Sequence, residues 1–442
     1  MSAECVRWRF GTRVLFRFVF AYLCMYGVYT LNDLMQFVGF IVLGKSFDSL
    51  LDPALHKVVP WVGKHLLHLA KDITIFSNGS GDTTYDWVLV LCELVLALTV
   101  AVVWSVLDRR RPNYRTLFAW LRQGIRLILA AEMFLYGTDK FPPLQFGDMT
   151  PSRLIVPFGR LTPFRLLWGF MAASRGYTMF GGLAEILGGL LLLIPQTVAL
   201  GALVSAGVLA NVFALNLFYD VPVKLFSFHL LLMALFLAAP DLPRLARMLI
   251  LNRDTPAARP IPLSRRPWMN RGVPVAVSIL GACLFCRMVF WAWKEHTNRQ
   301  VELAARPPYY GVWMVDEFVA DMAGGHPLFT DKLRDRLDLQ AGEERWKSLI
   351  FERPKFLIIQ CGNDALDYVK LDLAANNGQA SLSDDSDPTW KGRLTMEKPS
   401  EQTLALRGEV NGAAISAKLH RMDESKFRLV SRGFHFINER PF

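Results

Sequence analysis

Seven stretches of mostly apolar residues, around 14–43, 86–107, 119–137, 177–195, 197–217, 223–239 and 272–293, fill the first two thirds of this 442-residue chain. Each runs to roughly 18 residues or more, enough for a helix to cross about 30 Å of hydrocarbon. No water inside a bilayer satisfies backbone N–H and C=O groups, so segments of this kind span it as helices. Residues 1–293 are therefore expected to form an α-helical multi-pass membrane bundle of about seven transmembrane helices. The lipid bilayer is the first partner this implies. The opening run is too long for a signal peptide and lacks a small-residue cleavage site, so it reads as an uncleaved first helix.

Cationic residues set the expected orientation. Arg7, Arg9, Arg13 and Arg17 precede the first run, and Arg109, Arg110, Arg111, Arg115 and Arg122 follow the second. Arg244, Arg247, Arg253, Arg259, Arg265, Arg266 and Arg271 lie between the sixth and seventh, in a Pro-rich connector over 244–271. Alternating spans put all three groups on one side, which the positive-inside rule makes cytoplasmic. The N-terminus is then cytoplasmic and everything after Lys294 extracytoplasmic. These flanks account for most of the +10 formal charge. No nucleic-acid fold signature surrounds them, so nucleic acid is not an expected partner.

Beyond residue 294 the pattern changes to short alternating runs, near 310, 355, 368, 393, 403 and 413, and at 427 and 434, separated by turn residues. Asn411-Gly412 between two of them is a strong type I′ hairpin signal. An extracytoplasmic all-β barrel or sandwich is expected over 294–442. Residues 139–176, rich in Pro, Gly and Arg, read as a cap over the outer mouth of the bundle, with Arg153, Arg160, Arg165 and Arg175 facing either an anionic ligand or lipid phosphates and loop salt-bridge partners. Residues 53–71 place Leu55, Val58, Val59, Val62, Leu66 and Leu69 on one helical stripe opposite Lys57, Lys64 and Lys71, the pattern of a helix lying in the membrane interface. Asn78-Gly79-Ser80 matches a glycosylation sequon.

The six cysteines are scattered and suggest no disulfide framework. Cys283 and Cys286, one turn apart, are either a redox pair facing a quinone or small buried hydrophobes. His65 and His68 have a metal-like spacing with no third ligand beside them, so no metal site is expected.

Polar side chains within the apolar runs mark the candidate site, because a charge at the bilayer centre costs roughly 2.5–3.5 kcal/mol on insertion scales and normally faces a polar interior. Glu132, Tyr136 and Lys140 follow an i, i+4, i+8 stripe of one helix. Glu185 shares a helical face with Gly181, Gly188 and Gly189, where small residues let backbones approach. The stripe can bring Lys140 to Glu185, or Lys140 can snorkel to headgroups. Asn211 and Asn216 can hydrogen-bond across helices, and Pro222 turns the chain so that Asp220 and Lys224 meet. Lys140, Asp220 and Lys224 all approach the outer end, which favours one shared constellation.

At these residues the chain resembles the DoxX-like membrane protein superfamily. Arg126–Phe141, R-x-x-L-A-A-E-M-F-L-Y-G-T-D-K-F, is similar to its pattern of Arg, an apolar stretch and G-x-x-K. Glu185 in A-E-I-L-G-G looks like its acidic, glycine-rich helix. The likeness covers a core of about residues 120–240 and maps motif positions onto Arg126, Gly137, Lys140, Glu185 and Gly189. It implies a bacterial inner-membrane unit with relatives in quinone-coupled sulfur or thiol oxidation. The order of bundle then β domain also looks like the carboxylase-related transmembrane family, whose chemistry uses a reduced quinone.

Two functions follow as expectations. In the first, Glu185 and Lys140 are the catalytic pair of quinone- or thiol-linked redox chemistry at the outer leaflet, with a membrane or extracytoplasmic redox protein as partner. Arg126, Glu132, Tyr136, Asn211, Asn216, Asp220 and Lys224 then line the ligand site, and quinone is the implied cofactor. In the second, the chain is a non-catalytic receptor or assembly factor whose β domain binds a protein, peptide or lipid.

Overall fold

The computed structural model describes residues 7–43, 52–75, 79–255, 257, 261–321, 346–373, 378–385, 387–433 and 435–437. Asn78 of the sequon and Phe434 of the last expected strand lie outside them. The chain divides into two units, residues 1–145 with 176–294, and residues 146–175 with 295–442. The segment expected as a cap on the bundle thus groups with the β region.

The first unit is helical: α1 (Phe10–Leu43), α2 (Asp52–His65), α3 (Thr84–Leu107), α4 (Arg115–Lys140), then α7 (Arg175–Leu193), α8 (Val198–Phe218), α9 (Lys224–Ala238), α10 (Leu242–Leu249) and α11 (Pro267–Ala304), whose turns beyond Lys294 belong to the second unit. Six apolar stretches among the described residues are long enough to cross a membrane. They begin at Phe10, Thr84, Arg175, Val198, Lys224 and Pro267. The remaining long helix, α4, carries too many charges to count by composition, yet it is the most enclosed. Ile125, Leu129, Ala130, Ala131, Met133 and Phe134 are all buried in the unit's core, packed with Leu192, Leu209, Met233 and Leu237. Its charged Arg126, Glu132 and Lys140 are buried too. Polar residues in a spanning bundle turn inward because lipid offers them no partner.

Two of the arginine groups close one end of this unit. Arg13 donates to the carbonyls of Arg109 and Arg111 at 3.1 and 2.9 Å, and Arg17 donates to the Tyr114 hydroxyl, Ser105 Oγ and the Asp108 carbonyl. Arg122 reaches the Leu237 carbonyl at the end of α9, just before the third group begins. At the opposite end, Thr83 and Asp86 cap α3 reciprocally.

Three expectations are revised. The helix at 53–71 stops at His65, and His68 adopts a left-handed φ of 49°, so the two histidines do not share a helical face. Val59 alone of its stripe is fully buried, against Tyr85, Val88 and Leu89, while Val58 and Leu66 are exposed. The connector after residue 244 carries the last turns of α10, and Cys283 and Cys286 are exposed rather than buried.

In the second unit, strands β1 (Gly311–Asp321), β2 (Trp346–Arg353), β3 (Phe356–Cys361), β4 (Leu366–Leu373), β5 (Gln379–Ser383), β6 (Lys391–Ser400), β7 (Thr403–Val410) and β8 (Ala413–Arg421) form a closed antiparallel barrel. Closure removes both sheet edges, with β8 pairing back onto β1. The result is a barrel, not a sandwich. Eight strands leave an interior that side chains just fill, here Trp313, Trp346, Leu349, Phe351, Leu357 and Leu406 among others. Asn411 and Gly412 have φ of 50° and 82° and join Val410 to Ala413, as the type I′ turn requires.

The run at 427 is a one-turn helix, Arg428–Ser431, and not a strand. Strand β2 was not anticipated because Leu349, Ile350 and Phe351 are buried on both faces, which erases the alternation. The second face is covered by α5 (Pro151–Ile155), where Ile155 packs on Val312, Ile350 and Ile358. After α5 the segment continues into α6 (Pro163–Ala173).

Candidate functional site

The five residues of the sequence motif meet at one contact, between α4 and α7. Gly137 and Gly182 bring the backbones together: a Cβ on Gly137 would fall 2.8 Å from the Gly182 carbonyl oxygen, and one on Gly182 would fall 2.7 Å from that of Gly137. The close-packed glycine is therefore Gly182, not Gly181, whose Cβ would meet nothing. Two turns further along, Gly189 lies against the Phe134 ring.

At one end of this contact Lys140 Nζ donates to both oxygens of Glu185, at 2.9 and 2.7 Å, and to the Tyr136 carbonyl at 3.3 Å. An ammonium has three donors, and three acceptors surround it. Both side chains are more than nine-tenths enclosed. At the other end Arg126 donates to the Leu192 carbonyl at 2.5 Å, to the Leu193 carbonyl and to Ser278 Oγ at 2.8 Å. A guanidinium there satisfies the last carbonyls of α7 and complements the negative end of its dipole. Arg126 was expected to line a ligand site; the structure gives it backbone acceptors instead.

The expected shared constellation is divided. Lys224 pairs with Asp220 at 2.9 Å and with Asp82 at 3.6 Å, separately from Lys140. Asp82, which sequence reasoning passed over, also accepts from the Lys224 and Leu225 N–H groups and so holds the start of α9. Asn216 donates to Ser227 Oγ at 3.0 Å, whereas Asn211 is exposed on α8. Tyr136 packs its ring on Phe226, and Glu132 is buried one turn earlier.

A second polar centre lay hidden because its members are far apart in sequence. His229 Nδ1 lies 2.6 Å from the Leu225 carbonyl, which can only accept. Nδ1 therefore carries the proton, and Nε2 accepts from the Tyr22 hydroxyl. Tyr26 stacks on the imidazole with centroids 3.9 Å apart.

The barrel unit contains a cavity of about 870 Å³ between the outer wall of β2–β4 and residues 147–173, closed in part by 427–429. Five arginines line it, Arg153, Arg165, Arg299, Arg353 and Arg428, against two carboxylates, Asp148 and Glu352. Asp148 is bonded to Arg175 at 2.5 Å, and Glu352 accepts from the Ser152 N–H at 3.2 Å. Arg153 is anchored through the Phe146 and Asp148 carbonyls. Burial holds its guanidinium below the usual arginine range, with Arg299 and Arg353 adding to the depression and Glu352 opposing it. Elsewhere in the barrel, burial raises Asp367 to about 6, with the Cys361 thiol 3.7 Å away opposing the rise. No group of three or more His, Cys, Asp or Glu able to hold a metal occurs among the described residues.

These features define a multi-pass helical membrane protein that carries a closed eight-stranded barrel. The chain belongs to the family of the Bacillus subtilis (strain 168) protein described as "Uncharacterized protein YwoB". The two are 38% identical over 116 residues, which is 26% of this chain and 73% of that relative. No family model matches the chain, and no solved structure matches it.

Proposed function

We propose that the protein is a membrane-anchored binding protein: a DoxX-like bundle holds it in the bacterial inner membrane, and the barrel unit captures a small ligand on the extracytoplasmic side. The cavity of about 870 Å³ carries this reading, since it falls within the roughly 300–1,000 Å³ of small-molecule sites and combines apolar walls with a few convergent charges. The arginine groups at one end of the bundle support a cytoplasmic placement of that end. The Lys140–Glu185 pair supports a structural role for the motif. All three ammonium donors have acceptors within the protein, so a reduced quinone would have to displace one.

Gly169 supplies a test, because it lines the cavity and a Cβ there meets no atom within 4 Å. Gly169→Phe should fill the space without disturbing the fold. Mass spectrometry of protein purified from native membranes is expected to find a small molecule on the wild type that is lost from this variant. A molecule retained equally by both would refute the reading.

Quinone- or thiol-linked redox chemistry at Glu185 and Lys140 is the second reading, favoured by their burial in a spanning bundle that also holds the Tyr22–His229 centre. It expects a co-purifying quinone that survives Gly169→Phe and disappears in Lys140→Met/Glu185→Leu.

A further inference from the structure

We infer that one end of the helical unit is a docking surface for anionic phospholipid. The apolar side of α10 sets into the leaflet, and Arg247, Arg253, Arg265 and Arg266 meet the headgroup phosphates. The inference concerns the helical unit alone and does not depend on ligand capture by the barrel unit.

Five helices start or finish at this end. Tyr114, just before α4, accepts from Arg17 near the start of α1 at 3.0 Å and donates to Asp108 at the end of α3 at 2.9 Å. The Phe118 ring packs on Phe236 near the end of α9, with centroids 5.5 Å apart. Trp120 Nε1 donates to the Leu263 carbonyl, just ahead of α11, at 3.0 Å. Four of these helices, α1, α3, α9 and α11, belong to candidate spans. A membrane crossed by them therefore has one of its two surfaces here.

Helix α10 has the composition of a surface helix. A 3₁₀ turn and two prolines, Pro240 and Pro243, separate it from α9, and prolines are where helices kink. Leu242, Leu245, Ala246 and Leu249 recur at i, i+3, i+4 and i+7 on one side. At about 100° per residue, Arg244 and Arg247 fall on the other. Leu242 and Leu249 are exposed, and exposed Ile250 and Leu251 extend the apolar side. An apolar stripe opposite arginines is the pattern of a helix lying in the headgroup region.

The turn before α11 adds cations on a fixed frame. Asn270 accepts from the Leu263 and Ser264 N–H groups at 2.8 and 3.0 Å and donates to the Ser264 carbonyl at 2.9 Å. That brace carries Arg265 and Arg266, both exposed, and is followed by exposed Trp268, a residue type that anchors at headgroup level. Arg244 is paired with Asp241 at 2.7 Å. Among the described residues, no hydrogen bond or ion pair engages the guanidinium of Arg247, Arg253, Arg265 or Arg266. Asp254 is the other carboxylate between residues 239 and 271, one charge against four. Guanidinium grips phosphate through paired donors. A phosphatidylglycerol headgroup brings no cation of its own, whereas the choline of phosphatidylcholine opposes the arginines.

The test uses full-length protein in phosphatidylcholine nanodiscs doped with a photo-crosslinking phosphatidylglycerol or, separately, a photo-crosslinking phosphatidylcholine. Cross-links are mapped by mass spectrometry. The anionic probe is expected to label residues 242–253 and 263–271 at least about tenfold more than the zwitterionic probe, since each arginine at a leaflet contributes roughly fivefold. Arg247→Gln/Arg253→Gln and Arg265→Gln/Arg266→Gln, all at exposed positions, should each cut that preference severalfold. Leu242→Ser/Leu249→Ser should lose labelling of 242–253 by both probes. Arg393→Gln, exposed on the barrel, should change nothing, and an equal loss from it would overturn the surface in favour of net charge. Equal labelling by the two probes would overturn the anionic class. Cross-links between two copies of α10 in place of lipid labelling would give the surface to a second copy. No labelling of either segment would overturn the inference altogether.

Discussion

The α4–α7 contact and the barrel-unit cavity both contain buried or half-buried cations, and they treat them in opposite ways. In the bundle every donor of Lys140 meets an acceptor, and Arg126 is bonded to the end of α7. The cavity of the barrel unit is lined by five arginines and two carboxylates, of which Asp148 pairs with Arg175 and Glu352 accepts from the Ser152 N–H and acts on Arg153. The saturated pair closes a packed contact, whereas the cavity's charges line empty volume, which is what the proposed binding role requires. Polar burial alone, the feature that draws attention in the sequence, does not separate these two cases.

Changes at the saturated contact should have the largest effects on stability. Glu185→Ala leaves the Lys140 ammonium enclosed without a counter-charge, which costs about 3–5 kcal/mol for a buried pair. A thermal melt in detergent is expected to fall sharply. Lys140→Met/Glu185→Leu removes both charges and should recover most of that loss. If Glu185→Ala melted like the wild type, the pair would not be the clamp described above.

Gly137→Ala comes next. Its Cβ would press on the Gly182 carbonyl and on Ile186, and overpacking of this kind costs about 1–3 kcal/mol. Gly181→Ala, one residue away from the contact on α7, should change the melt by no more than about 0.5 kcal/mol. Equal effects from the two substitutions would contradict the backbone contact.

A smaller, pH-dependent effect is expected in the barrel. Burial raises Asp367 to about 6 from its ordinary 3.8, so its ionised form is disfavoured in the folded state. The folded state binds this proton more tightly than the unfolded chain, so its contribution is fully present below about pH 4 and is lost as pH rises through about 6. Asp367→Asn should therefore stabilise the barrel by roughly 1–2 kcal/mol at pH 8 and by little at pH 4. Denaturation followed by barrel tryptophan fluorescence at the two pH values checks this, and a larger gain at pH 4 would contradict it.

Much of the fold was legible because it depends on local patterns. Apolar run lengths located the spans, and the Asn411-Gly412 pair located its hairpin. The i, i+4 stripe of α4 with the glycine face of α7 brought Lys140 and Glu185 within reach. Elements shaped by distant chain were not legible. Asp82 caps a helix 142 residues away, and Tyr22 finds His229 across a gap of 207. Strand β2 hid because α5 buries its outer face, and the packing glycine was misplaced by one residue, about 100° around a helix. The cavity draws on the 147–173 segment, α11, the wall of β2–β4 and the 427–429 turn, so no single stretch of sequence announces it.

The most direct measurement of the division between clamp and site is ligand retention by Lys140→Met/Glu185→Leu, purified from native membranes beside the wild type and compared by mass spectrometry. With the motif as clamp and the cavity as site, the folded double variant keeps the same bound molecule in the same amount. Loss of that molecule from a variant that still melts like the wild type would place the function at the buried pair instead.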